Sequence, residues 1–299
     1  MRITEFLSGS TFRQQVQSTR AEVAKYNEQV ATGKRVTKGS DNAISFTSGK
    51  LFEDLIRRNE QYQLNISTGL FQARTTQDAL DQMKDLFISM KTLTIEAASE
   101  NKNADDRLII AERMKAFKDD LIDLANTKFN DVYIFGGTNS DIRPFFEDPG
   151  EPGDVGTDST DRPMKVLIGD ASVIDTTVSG IDLRNKDNGD DLFETVQQTI
   201  DALENNDTAE LQNSIDRLNN NMNHVVSHAT KVASNINRLE FANERIEQSA
   251  IDHKSEVSRL TDADIVESML NFQSAQTSYE SVLAIQSQMM QTSLLNYLR

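Results

Sequence analysis

The chain has 299 residues, a formal charge of −16 at pH 7, and neither cysteine nor tryptophan. Without Cys there is no disulfide framework, zinc–thiolate site or thiol chemistry, and the acidic balance argues against nucleic acid or an anionic membrane as partner, since both need clustered Lys and Arg. The charge is uneven: residues 1–75 carry eleven Lys/Arg against seven Asp/Glu, a net of +4, which leaves −20 for residues 76–299. No apolar run reaches the ~18 residues that a membrane span needs. The opening MRITEFLSGSTFRQQVQSTR lacks the apolar core and cleavage site of a secretory signal, so the expectation is a cytoplasmic protein or one exported by a route that reads no cleaved signal.

In chain order, Phe12, Val16, Thr19, Val23, Tyr26 and Val30 recur at 4-3-4-3-4 spacing on an otherwise polar stretch, which predicts a helix with one narrow apolar seam. Gly33 stands where a helix commonly ends in a left-handed residue. The loop GKRVTKGSDN follows, with Ser40 or Asp41 placed to cap a helix starting near Asn42 and bending at Gly69. The next seam reads Thr76, Leu80, Met83, Phe87, Met90, Thr94, Ala97. After a polar turn at residues 99–106, Ile110, Met114, Phe117, Leu121 and Leu124 share one face of a further helix.

The texture then changes. VYIFGG (132–137), MKVLIG (164–169) and SVIDTTVSGIDL (172–183) have strand length and strand residues. All four prolines fall between Pro144 and Pro163, so residues 138–189 read as a small, acidic, β-rich insertion. Helix resumes at Asp191. From residue 208 to the end there is no Gly or Pro, and the series Leu211, Ile215, Leu218, Met222, Val225, Ala229, Val232, Ile236, Leu239 continues to Leu260. A 3.5-residue period sustained so far signals coiled-coil-like packing. SRLTDAD (258–264) reads as a break, with Thr261 as a fresh N-cap. The seam then resumes as Ile265, Met269, Phe272, Gln276, Tyr279, Leu283, Gln286, Met290 and ends on SLLNYLR, which includes Leu294.

No catalytic constellation emerges, and the chain reads as non-enzymatic with no cofactor and no metal. His224 and His228 have the i,i+4 spacing of a metal pair, but no carboxylate lies within a turn on that face. Asp154, Asp158 and Asp161 lack the order of a calcium loop. Gly136-Gly137 lacks the strand–GxGxxG–helix context, there is no GxSxG elbow and no HExxH, and Met289-Met290 reads as packing filler.

Three stretches resemble the bacterial flagellin superfamily: YNEQVATGKRVTKGSDNA (26–43), SRLTDAD (258–264) and the terminal Leu298-Arg299. A fourth, NTKFNDVYIFGGTNSDIRPF (126–145), is similar to the hook–filament junction branch of that superfamily rather than to the flagellins, which remain the alternative. Asp41-Asn42 replaces the more usual Asp-Asp, a soft change that keeps a capping side chain. The resemblance implies a mainly α fold with a small β insertion: an elongated, coiled-coil-like bundle from paired N- and C-terminal helices, with a β-rich tip. The expected divisions are 1–41 and 258–299 as inner-layer helices, 42–137 and 190–257 as the bundle, and 138–189 as the outer insertion. It further implies an extracellular structural subunit of the flagellum, exported through the flagellar type III route. Its implied partners are copies of itself, hook-associated protein 1, flagellin and an export chaperone. The expected assembly interface is Phe12, Val16, Val23, Tyr26, Val30, Ile265, Met269, Phe272, Tyr279, Leu283, Met290 and Leu294.

Overall fold

The computed structural model describes residues 2–147, 155–184 and 191–297, with side chains from residue 10 to residue 288 of these. The fold is mainly α, with long helices at both ends and short strands between: α1 (Arg2–Thr32), α2 (Ala43–Ala98), α3 (Ala104–Ala125), β1 (Lys128–Phe129), β2 (Val132–Tyr133), β3 (Phe145–Glu147), β4 (Val155–Thr157), β5 (Lys165–Leu167), β6 (Val173–Asp175), α4 (Gly180–Arg184), α5 (Leu192–Glu204), α6 (Thr208–Thr261) and α7 (Ile265–Tyr297). The chain divides into two compact units, residues 1–58 with 248–299 and residues 59–247, and α2 and α6 contribute to both.

The second unit holds the larger core. Leu80, Met83, Phe87 and Met90 of α2 are fully buried, as are Met114 and Leu121 of α3, Phe193 and Val196 of α5, and Leu211, Leu218 and Val225 of α6. The turns between these helices are built by side chains that replace missing backbone partners. Asn103 accepts from the Asp106 amide at 2.8 Å while Asp106 reaches back to the Asn103 amide, a capping box. Asp191 caps α5 through the Phe193 and Glu194 amides, and Asp207 caps α6 through those of Ala209 and Glu210. Arg107, 5% exposed, donates to the Ala97 carbonyl at 2.9 Å and to the Asn206 side chain, so one buried guanidinium serves the end of α2 and the α5–α6 turn.

The strands form three antiparallel pairs, β1–β2, β3–β4 and β5–β6. The first turns through Asn130 and Asp131, both at positive φ (49° and 64°), the geometry of a two-residue type I′ hairpin. In the sequence only its second strand stood out. Phe145, Val155, Ile174 and Leu183 from the strand-bearing stretch belong to the same apolar cluster as the helices.

Two local expectations are corrected. Residues 172–183 are not one strand: pairing stops at Asp175, and Gly180–Arg184 is helical, its Gly180 amide held by the Phe135 carbonyl at 2.9 Å and by Ser159 Oγ. Gly69 does not bend α2, which runs unbroken. The glycine instead lets β5–β6 approach, because a Cβ there meets Val166 Cγ2 at 2.9 Å and Thr176 Cγ2 at 3.1 Å. Beside it the buried Gln72 accepts a hydrogen bond from Thr176 Oγ1 at 2.7 Å.

Candidate assembly surface

In the first unit α1 and α7 lie against each other, and the two loops that follow α1 and α6 are joined. The Arg35 and Val36 amides donate to the Thr261 carbonyl at 2.7 and 3.1 Å, and the Ala263 amide donates to the Gly33 carbonyl at 2.9 Å. Lys34 and Asp262 form an antiparallel bridge. Gly33 adopts φ +68°, as its position after α1 demands. The stretches GKRVTKGSDN and SRLTDAD are therefore two sides of one hydrogen-bonded crossing, a relation invisible to a reading that places them only at similar distances from the two ends.

The capping roles within this crossing differ from expectation. Asp41 does not cap α2. Its Oδ2 accepts the Thr37 and Lys38 amides at 3.1 and 3.0 Å, and those bonds, Thr37's foremost, hold its carboxyl below the usual range. Asn42 is the residue whose side chain takes the Ser45 amide, at 3.0 Å. Thr261 ends α6, its hydroxyl donating back to the Val257 carbonyl at 2.8 Å, and Asp264 caps α7 through the Val266 and Glu267 amides. A hydroxyl turned onto its own helix is not free to start the next.

The residues expected at the interface fall into two groups. Phe12, Val16, Val23, Tyr26 and Val30 on α1 are half-buried, as are Phe272 and Tyr279 on α7. Ile265, Met269 and Leu283 are exposed, at 55, 58 and 39%. Met290 and Leu294 lie in α7, but their side chains are outside the described residues, as are Asp154 and Leu298-Arg299 altogether. Val266, Leu270 and Ile285, which stand off the 3-4 seam, are exposed as well, at 70, 64 and 52%. Ile265, Val266, Met269 and Leu270 thus crowd four large apolar side chains onto the first two turns of α7. Isolated exposed apolar residues are ordinary, but a contiguous set marks a contact surface.

His224 and His228 hydrogen-bond to each other, Nε2 to Nε2 at 3.2 Å, and His224 Nε2 lies 2.7 Å from the Asp182 carbonyl oxygen. Among the described residues no three His, Asp or Glu converge as a metal would need, and the contact to the Asp182 carbonyl ties His224 of α6 to α4. Asp158 and Asp161 are exposed. The segment 126–145 closes on itself: the Asn126 side chain accepts the Phe145 amide at 3.0 Å and donates to the Phe145 carbonyl at 2.9 Å, with Ile134 and Phe135 fully buried between.

Two family models match the chain, the bacterial flagellin N-terminal helical region over residues 3–140 and the bacterial flagellin C-terminal helical region over residues 212–298. The chain belongs to the flagellin superfamily, and its homologues are structural proteins of the bacterial flagellum. Within that family it is similar to flagellar hook-associated protein 3 of Salmonella typhimurium, 25% identical over 91% of this chain and 92% of the relative. It is similar also to that of Escherichia coli, 24% identical over 83% of this chain and 84% of the relative. The solved structure of a flagellar hook-associated protein from Vibrio parahaemolyticus shares the fold, with a TM-score of 0.67 and 16% identity over 74% of this chain and all of that one. The chain is accordingly assigned a structural role in the flagellum.

Proposed function

We propose that this chain is a non-enzymatic subunit of the junction between flagellar hook and filament. Copies form a ring, meeting hook-associated protein 1 on one side and flagellin on the other. The observation that carries this is the pairing of family membership with an unpartnered apolar surface at the start of α7, which a soluble subunit leaves wet and a neighbouring subunit would cover. The similarity to hook-associated protein 3 over most of both chains favours the junction over the filament as the place of assembly. In the same reading the subunit leaves the cell by the flagellar type III route, with an export chaperone covering the C-terminal helices until they assemble.

Deleting the gene, imaging the cells and assaying the medium for flagellin tests this. Bare hooks with flagellin lost to the medium are expected. Bare hooks with no flagellin in the medium make this chain the flagellin, and normal filaments refute both. Met269→Asp should leave the melting of the purified subunit within about 0.5 kcal/mol, as for exposed positions generally, and abolish incorporation into flagella, because the new charge is desolvated only in the assembly.

A further inference from the structure

A groove of about 510 Å³ lies between α2 and α3 in the second unit. Leu86 and Leu124 give it an apolar base resting on the core, and Asp85, Asp120 and Asp123 give it an acidic rim, of which Asp85 and Asp123 make long, exposed pairs with Lys84 (3.7 Å) and Arg143 (4.0 Å). In the first unit the opening turns of α2 show the opposite character. Ile44 and Leu51, seven residues apart and therefore on one helix face, are 80 and 56% exposed, and Lys50 and Arg57, themselves seven apart on a flank roughly 100° round the helix, have side chains 57 and 63% exposed. Those two cations pair with Glu53 and Asp54 at i,i+3 spacing, exposed pairs that hold little energy and are easily exchanged.

We propose that in one copy the Ile44–Leu51 face of α2, flanked on one side by Lys50 and Arg57, docks into the α2–α3 groove of the next. The two apolar side chains enter between Leu86 and Leu124, and the two cations meet the rim aspartates. Apolarity and sign of charge are matched, as in a helix seated in a groove. The two surfaces differ, so the contact is heterologous and its repetition builds a ring or a helical stack, whereas a self-complementary patch would stop at a dimer. The inference rests on the junction-ring reading and adds the surface through which the copies meet.

The absence of native cysteine makes the test clean. Flagella are sheared from cells expressing full-length chain with Leu51→Cys, with Ser89→Cys, or with both, Ser89 lining the groove, and are oxidised and run under non-reducing conditions. The double variant should give a ladder of cross-linked copies and each single variant only monomer. Asp120→Lys with Asp123→Lys should weaken the ladder roughly fivefold or more, and adding Lys50→Glu with Arg57→Glu should restore it, as paired charges across an interface do. Absence of a ladder in flagella that contain the protein overturns this surface and leaves the junction reading standing. Dimers from either single variant overturn it too, since they require like faces to meet. Absence of the protein from the flagella overturns the junction reading and the surface with it.

Discussion

The second unit closes over Phe87, Phe135, Phe145 and Phe193, each no more than 1% exposed, and knits its helices with buried caps and a buried arginine. Among the described residues of the first unit the buried ones are Thr19, Gln29, Val36, Gly49, Ala250, Thr261, Ser268 and Ala275, small or polar apart from one valine, while Ile44, Ile265, Val266, Met269 and Leu270 face water. Each buried large apolar side chain is worth about 1.5–3 kcal/mol, so the two units draw on very different reserves. A helix pair with so thin a seam is marginal without further packing, which the proposed assembly would supply. The sharpest way to break this comparison is a matched pair of truncations. Phe87→Ala should cost about 3–5 kcal/mol, the range for a buried Phe, whereas Phe272→Ala, half-buried on α7, should cost under about 1 kcal/mol in the isolated subunit. Thermal unfolding followed by circular dichroism measures both. Limited proteolysis of the free subunit should cut within residues 10–32 and 265–288 first, and equal resistance in the two units would sink the contrast.

A second matched pair uses glycine. A Cβ on Gly69 in the second unit meets both Val166 and Thr176, and one on Gly49 in the first meets only the Thr261 methyl, also at 2.9 Å. Each Gly→Ala change gains up to about 1 kcal/mol of helix propensity. At Gly69 the neighbours are two β-branched side chains held in a hairpin, and overpacking there should leave a net loss of about 1–2 kcal/mol. At Gly49 the strain is confined to one contact, with the methyl of Thr261, whose hydroxyl is tied to the Val257 carbonyl, so Gly49→Ala should be close to neutral, the contact offsetting the gain in helix propensity. Equal melting shifts for the two would mean the units are equally rigid.

How much of this was legible depends on where apolarity and burial coincide. On α2 they do, and the series Thr76, Leu80, Met83, Phe87, Met90, Thr94, Ala97 is the buried face, two threonines included because each returns its hydroxyl to the carbonyl four residues earlier. On α6 they coincide only in part. Leu211, Leu218, Val225, Val232, Leu239 and Ile246 are buried as their seven-residue spacing foretells, but Ser214, Asn221 and Asn235 are buried between them, with the half-buried His228 continuing the same series, polar residues that a search for apolar periodicity steps around. It selected Ile215, Met222 and Ala229 instead, which are half-buried on the flank. The crossing of the two motif loops, the clasp of Asn126 on Phe145 and the α2–α3 groove all depend on residues far apart in sequence, and no local pattern encodes such contacts. The type I′ turn at Asn130-Asp131 did carry a local signal, in two residue types that tolerate positive φ.

The polar inlay of α6 permits a prediction of opposite sign. Asn221 is fully buried, and among the described residues neither of its side-chain polar atoms has a hydrogen-bond partner. A buried amide left unpaired costs about 1–3 kcal/mol, so Asn221→Leu, close in volume, should raise stability by about 1–2 kcal/mol, read as a higher denaturation midpoint at unchanged m-value. A loss of stability there would show that the amide has a partner in solution, such as bound water, and that the inlay is a satisfied network.

The smallest effect concerns His228, the next step of that inlay. Burial, reinforced by the neighbouring His224 and Lys231 and opposed by Asp182, pushes its pKa down from the ordinary 6.5 to about 4. The folded protein therefore keeps this ring neutral at pH values where the unfolded chain protonates it. Between pH 6.5 and about 4 the unfolded state binds more protons, so His228 makes stability fall as pH falls, and below about pH 4 both states are protonated and the loss is complete. Because the ring is only partly buried, solvent screening reduces the effect to about 1 kcal/mol. Other groups titrate in the same range, so the quantity to measure is the difference between wild type and His228→Gln in denaturant midpoint from pH 7 to pH 4.5. The wild type should lose stability relative to the variant as the pH drops. Parallel curves would mean that the imidazole is as solvated in the fold as out of it, and that α4 does not hold closed over this face of α6 in solution.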